Sequence, residues 1–403
     1  MLFKNLQRQA IIGLCALFVC TFTALTSEVA PVGLLINIAH AFDIPEGEAG
    51  LSVSAFALMV ALGAVPLTIL TGKIDRKRLM IYALSGYVVS NLIVTVAPSF
   101  AVMCMGRMIG GLSHAVLMSI CAAYAAKLVP AHMTGRAISF VYGGTSLGAI
   151  LGVPGAAAIG HYCGWRIAML LITGLALVLT VCIAFFLPAV ANSSTANNAI
   201  PAIRSPKAMR LFLIVTAVDA IFFLGHNLLY TYVAPLLLDH GLPSNLISVA
   251  LLVSGALSIL GLWGAGQVVD RWPAGGVFVS GMAMLVGMGL MYGHILSGWV
   301  SVAAVSVWCI GYTSIIPFVM SGAIRAQATR PDVAGAAINA ASNVGILLGS
   351  AVGGQVLTYV GFKGLTPFAI ITVLSGLILA LSSSGAFPRV LSSGSETTDH
   401  VMH

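Results

Sequence analysis

A chain of 403 residues in which 59% are hydrophobic and 7% charged cannot fold as a water-soluble globule, where about a quarter of residues carry charge. Its net charge of +7 does not mark a nucleic-acid binder, because the basic residues gather in alternate loops instead of along one face. What remains is a helical protein whose solvent is the lipid bilayer, each crossing using roughly 20 apolar residues.

Apolar runs between charged or Pro/Gly breaks predict helices over 10–34, 48–70, 78–97, 100–126, 135–160 and 165–188. The first is too long for the apolar part of a signal peptide and reads as a retained span. A polar stretch, 191–207, contains Asn-Ser-Ser-Thr-Ala-Asn-Asn and reads as a linker. Six more helices are predicted over 209–233, 245–267, 274–295, 298–322, 333–357 and 364–385, followed by a polar tail. The organisation is therefore an N-terminal half (1–190), a linker (191–207), a C-terminal half (208–388) and a disordered tail (389–403).

With both termini cytoplasmic, fifteen of the eighteen basic residues fall on the cytoplasmic side; Arg107, Arg166 and Lys363 do not. That asymmetry fixes an even number of spans with this orientation, as in a bacterial inner membrane. The seven cysteines lie mostly within apolar runs, without metal-ligand spacing, and read as packing residues.

Gly144, Gly148 and Gly152 repeat every four residues and are followed by Pro154. Small residues at that spacing make a smooth strip on one helix face, where a neighbouring backbone can approach without a hydrophobic driving force. Gly345, Gly349 and Gly353 repeat the pattern, and Gly361-Phe362 echoes Gly164-Trp165. Gly148 and Gly345 lie 197 positions apart, while the loop acids Asp75 and Asp270 lie 195 apart. Two landmarks at nearly one offset indicate an internal duplication, the pattern of a transporter.

The chain resembles the major facilitator superfamily, in the drug:proton antiporter branch that includes bacterial sugar-efflux and arabinose-efflux permeases. The residues carrying the resemblance are Thr26-Ser-Glu-Val-Ala-Pro-Val-Gly-Leu-Leu35, the Asp75-Arg76 loop, Arg107 with Gly111 and Ala115, and the Gly144–Gly160 helix with Gly164-Trp165-Arg166. The resemblance implies twelve transmembrane helices in two pseudo-symmetric six-helix halves around a central cavity, usually working as a monomer. It also makes Asp75 and Arg76, with Asp270 and Arg271, gating charges; the plainer alternative for the second pair is a tight turn with solvated charges.

An ionised side chain at a helix centre costs about 2.5–3.5 kcal/mol on insertion scales, so embedded charges mark function. Of eleven acids, only Glu28 and Asp219 fall inside spans. A carboxyl in a cavity that opens alternately to each side can bind and release a proton; the alternative for Glu28 is a cavity-lining acceptor. Asp219 is followed by Phe222, Phe223, His226 and Tyr230 on one helical face, which suits a sugar offering hydroxyls and an apolar ring face, or else packs within the bundle. Arg107 and His114 share a face of the fourth span. The resemblance places Arg107 in the cavity, anchoring a carboxylate such as Glu28 or sensing the proton. His114 is either a substrate or proton group or a satisfied structural histidine. Asn339 with Asn343, and Trp308 with Tyr312, complete the site or pack. Pro31 and Pro154 each free a carbonyl inside a helix and bend it.

No nucleotide-binding loop, HExxH or GxSxG sits in a workable context, so neither an enzyme nor a bound cofactor or metal is expected. The expected partners are a small-molecule substrate, protons and lipid, with no nucleic acid. The reading is a proton-coupled exporter of a small polar solute; alternatives are a multidrug antiporter, proton-coupled uptake and a non-transporting sensor.

Overall fold

The structure, a computed structural model, describes residues 8–130, 133–187, 205–292, 298–329, 331–383 and 385–388, and among them every regular element is helical. Among the described residues, twelve helices are long and apolar enough to cross a membrane. In the first half these are α1 (Arg8–Gly33), α2 (Glu46–Leu70), α3 (Arg76–Val96), α4 (Phe100–Lys127), α5 (Thr134–Cys163) and α6 (Trp165–Phe186). The second half has α7 (Pro206–Tyr230), α8 (Ile247–Val268), α9 (Pro273–Leu290), α10 (Trp299–Arg325), α11 (Pro331–Val360) and α12 (Phe362–Ser382). Most of the expected linker and all of the expected tail lie outside the described residues.

Local chemistry sets several boundaries. Ser99 caps α4 and Ser205 caps α7, each hydroxyl accepting from the amide three residues on, and Pro206 stands where a helix needs no amide donor. At the α5/α6 and α11/α12 corners, Gly164 and Gly361 have φ of +92° and +72°, a region that side-chain-bearing residues avoid. These two glycines end α5 and α11 three residues beyond the positions predicted from hydropathy. The predicted first and seventh spans also continue past a break: Leu34 separates α1 from a short helix, Leu35–Phe42, and Thr231-Tyr232 separates α7 from Val233–Asp239.

Packing repeats between the halves. α1 lies on α5 as α7 lies on α11, α2 on α4 as α8 on α10, and α3 on α6 as α9 on α12. The halves meet through α2 against α11 and α5 against α8. In the α1/α5 seam Gly148 lies against Phe22 O, Leu25 Cβ and Thr26 N; in the α7/α11 seam Gly345 lies against Ala220 O, Phe223 Cβ and Leu224 N. Each neighbour is displaced by 198 positions, one more than the glycines.

An even number of spans puts both chain ends on one face, here termed the terminus face, opposite a far face. The hydrophobic core divides accordingly. One cluster joins the far-face layer of the first half (Leu34, Ile38, Val53, Val153, Met169) to the core of the second half. The terminus-side layer of the first half (Leu17, Val60, Met80, Tyr124, Val141) forms a separate cluster, touched from the second half by Ala340. The halves are thus fused towards the far face. Among the described residues, the hydrogen bonds between halves lie there too: Ser54 to Ser350 (2.6 Å) and to Leu347 O (3.4 Å), and Tyr232 to Gly47 O (3.3 Å).

Candidate functional site

Pro31 has no amide hydrogen, so the carbonyl of Ser27, one turn earlier in α1, loses its helical donor. Arg107, two turns into α4 and fully buried, supplies one: Nη1 donates to Ser27 O at 2.7 Å, Nη2 to Glu28 O at 2.7 Å and Nε to Ser52 O at 3.2 Å. Its guanidinium also sits 4.3 Å from the centre of the Phe56 ring. The arginine therefore grips the main chain of α1 and α2, and its hydrogen-bond partner at Glu28 is the carbonyl rather than the carboxylate.

The Glu28 carboxylate turns instead to His114, with Oε2 3.6 Å from Nδ1. That same nitrogen lies 2.9 Å from the Tyr87 hydroxyl of α3, and the imidazole meets the Phe56 ring edge-on. Beside this group Ser27 Oγ donates to Asn91 Oδ1 at 3.0 Å, while Asn91 Nδ2 has no partner among the described residues. Glu28, Arg107 and His114 thus come together; Tyr87, Ser27 and Asn91 join them without having been anticipated. A tyrosine in an apolar span carries no periodic signal, and its partner lies 27 positions away on another helix.

In the second half, Asp219 is fully buried on α7. Oδ2 accepts from Ser342 of α11 at 2.7 Å; Oδ1 has no partner among the described residues. His226, two turns further on, stacks on Tyr312 with ring centres 3.5 Å apart and on Tyr230 at 4.6 Å, and meets Trp308 edge-on at 5.2 Å. Phe223 also meets Tyr312 edge-on. These rings are occupied with one another, and two of their polar edges, His226 Nδ1 and Trp308 Nε1, are buried without partners among the described residues, as is Asn343 Oδ1. Asn343 Nδ2 donates to Asn339 O at 2.9 Å. Phe222, by contrast, is core.

The seam offset of 198 pairs Glu28 with His226 and Asp219 with Thr21, whose hydroxyl donates to Val141 O at 2.6 Å. The two embedded acids are therefore not repeat counterparts. Glu28 and His226 occupy equivalent depths, and Tyr312, stacked on His226, lies within electrostatic reach of both Glu28 and Asp219.

The loop charges sit apart from this group. Asp75 caps α3, accepting from the Arg78 amide at 3.0 Å, with Arg76 half-buried beside it. Asp270 and Arg271 are exposed, and Asp270 lies within electrostatic reach of Arg325 at the end of α10. Gly144, Gly148, Gly152, Gly345, Gly349 and Gly353 all line the α1/α5 and α7/α11 seams. Pro154 frees the carbonyl of Ile150, and that backbone lies against Gly255 of α8.

The family profile described as Major Facilitator Superfamily matches residues 17–338. A probable sugar efflux transporter of Helicobacter acinonychis is 29% identical over 364 residues, covering 88% of this chain and 92% of its own length. A chloramphenicol efflux pump of Mycobacterium tuberculosis is 29% identical over 350 residues, covering 85% and 84%. Among solved structures, a bacterial homologue of the human lysosomal transporter Spinster, in an inward-facing and unoccupied conformation, superposes with a TM-score of 0.73 at 12% identity, covering 96% of this chain and all of that one.

Proposed function

The chain belongs to the major facilitator superfamily, and from that premise we propose that it exports a small polar solute, of the sugar class, in exchange for protons. The family consists of transporters rather than enzymes, and relatives of this chain include sugar-efflux and drug-efflux proteins. One observation carries the finer reading. Two carboxyls lie inside a lipid-embedded bundle, one 3.6 Å from an imidazole and the other with an oxygen that no group among the described residues satisfies. Such groups can exchange protons as the cavity changes sides. The unpartnered edges of His226, Trp308 and Asn343 suit a ligand rich in hydroxyls.

The distribution of basic residues makes the terminus face cytoplasmic, in a bacterial inner membrane. The far-face seal then closes the outer side, and transport alternates by rocking residues 1–190 against 208–388 about the site, with 191–207 as linker. Glu28, Arg107, His114, Asp219, Phe223, His226, Tyr230, Asn339 and Asn343 line the substrate and proton path. Asp75, Arg76, Asp270 and Arg271 gate the cytoplasmic side, and the monomer is the working unit. The second reading is an antiporter of amphiphilic drugs, favoured by the chloramphenicol pump being as similar as the sugar transporter.

The test is substrate-induced proton movement in proteoliposomes with a pH-sensitive dye, across pentoses, hexoses, nucleosides, chloramphenicol and cationic drugs. Proton flux with one sugar class, lost in Glu28→Gln and Asp219→Asn, is the expected result. A response to the drugs alone selects the second reading. Coupling that survives both amide substitutions together removes these carboxyls from the mechanism.

A further inference from the structure

Proton exchange at Glu28 leaves unexplained why a buried tyrosine on another helix is aimed at the imidazole beside it. His114 Nδ1 has two oxygen neighbours, the Tyr87 hydroxyl at 2.9 Å and Glu28 Oε2 at 3.6 Å, and it holds at most one proton. With Nδ1 bare, Tyr87 donates to it; with Nδ1 protonated, Tyr87 becomes an acceptor in competition with the carboxylate. Tyr142 and Tyr232, by contrast, have no such choice. Tyr142 donates to Met118 O at 3.2 Å and Tyr232 to Ser350 O at 2.6 Å, carbonyls whose protonation never changes.

The surroundings leave Glu28 as the acid within reach of His114. On α4 itself, Arg107 is committed to three carbonyls. From α2, the imidazole meets the Phe56 ring. Near Tyr87 lie the thiols of Cys20 and Cys121, and Tyr312 approaches Glu28 from the other half.

Resting on the proton-coupled reading above, we infer that Tyr87 is a positioning residue for proton exchange, holding the His114 imidazole so that Nδ1 faces Glu28 and exchanging hydrogen-bond direction with it. The step balances within the group. The Glu28 O–H bond breaks, an Nδ1–H bond forms, and a neutral pair becomes carboxylate and imidazolium. The Tyr87 hydroxyl turns from donor to acceptor as the proton arrives.

The test needs no substrate. The full chain, with nitrogen-15 in its histidines and carbon-13 at tyrosine Cζ, is followed by solid-state NMR in lipid from about pH 5 to about pH 9, the range where imidazoles change charge. Loss of a signal in His114→Gln and in Tyr87→Phe assigns the two groups. The inference expects the Tyr87 Cζ signal to move in step with the His114 ring nitrogens. It also expects Tyr87→Phe, which keeps the ring, to displace the His114 midpoint by about half a pH unit or more, a perturbation that loss of one neighbouring hydrogen bond can produce. A Tyr87 signal that stays flat while His114 titrates overturns it, as does a His114 ring that holds one protonation state throughout. If Tyr87→Phe does not fold, the tyrosine Cζ that correlates through space with the assigned His114 ring nitrogen in wild type is Tyr87, and its titration decides between these outcomes. Proteoliposome flux indifferent to a proton gradient would instead remove the coupled reading itself, whatever the spectra show.

Discussion

Arg107 donates at 2.7 Å to the carbonyl of Ser27, the one that Pro31 leaves without its helical donor. An arginine on α4 thus completes the hydrogen bonding of a proline-broken turn on α1, and the same guanidinium reaches Glu28 O and Ser52 O. This explains how a fully buried charge is tolerated in an apolar bundle: each of these three bonds is charge-assisted and made to a carbonyl.

Arg107→Lys, which offers three donors in a different geometry, is expected to lose about 1.5–3 kcal/mol, the range for a hydrogen bond to a charged group. Restoring an amide with Pro31→Ala supplies the Ser27 carbonyl from its own helix, so the double variant should recover part of that loss. Thermal melts of all four proteins in detergent form the cycle. Strict additivity would sever the link between proline and arginine.

The glycine seams make a contrast inside one helix. A Cβ at Gly148 would fall 2.9 Å from Phe22 O, whereas one at Gly155 meets nothing within 4 Å. Gly148→Ala is expected to cost about 1–3 kcal/mol by overpacking, and Gly155→Ala to stay within about 0.5 kcal/mol of wild type. Folded yield and melting temperature measure both, and equal losses would remove close backbone approach as the reason for the ladder.

Tyr232 holds the far-face seal, its hydroxyl 2.6 Å from Ser350 O and 3.3 Å from Gly47 O. Tyr232→Phe removes about 1 kcal/mol of hydrogen bonding, enough to raise the open population about fivefold. The check is the rate at which an impermeant maleimide added at the far face labels a Val53→Cys reporter in a Cys163→Ser background, with and without the substitution. An unchanged rate would make Tyr232 packing alone.

Trp308 is fully buried, and its Nε1 finds no acceptor among the described residues. If that hydrogen is offered to the solute, Trp308→Phe weakens affinity by about tenfold, one hydrogen bond's worth, on top of a stability loss of about 1–3 kcal/mol from the cavity the smaller ring leaves. The binding constant of the sugar identified in the proteoliposome panel reads this out. An unaltered constant would take Trp308 off the substrate path.

Much of the fold was legible without coordinates because its causes are local. Span number follows from apolar length, the seams from glycine spacing, and the duplication from landmarks near one offset. Boundaries moved where a backbone conformation overrode hydropathy, as at Gly164 and Gly361, where positive φ values set the corners. The site was only half legible. Glu28, His114 and Asp219 stood out as expensive groups in lipid, but the guanidinium of Arg107 found carbonyls, and the aromatic face of α7 was taken up by Tyr312 and Trp308.

The sequence by itself determined twelve spans, their repeat and the embedded acids, since hydrophobic length, small-residue period and the cost of a charge in lipid belong to each segment alone. Only the tertiary structure decided that Tyr87 faces His114, that Glu28 matches His226 rather than Asp219, and that the halves close on the far face. Those facts depend on which helices lie side by side and in what register, so partners tens to hundreds of residues apart meet only once the bundle has packed.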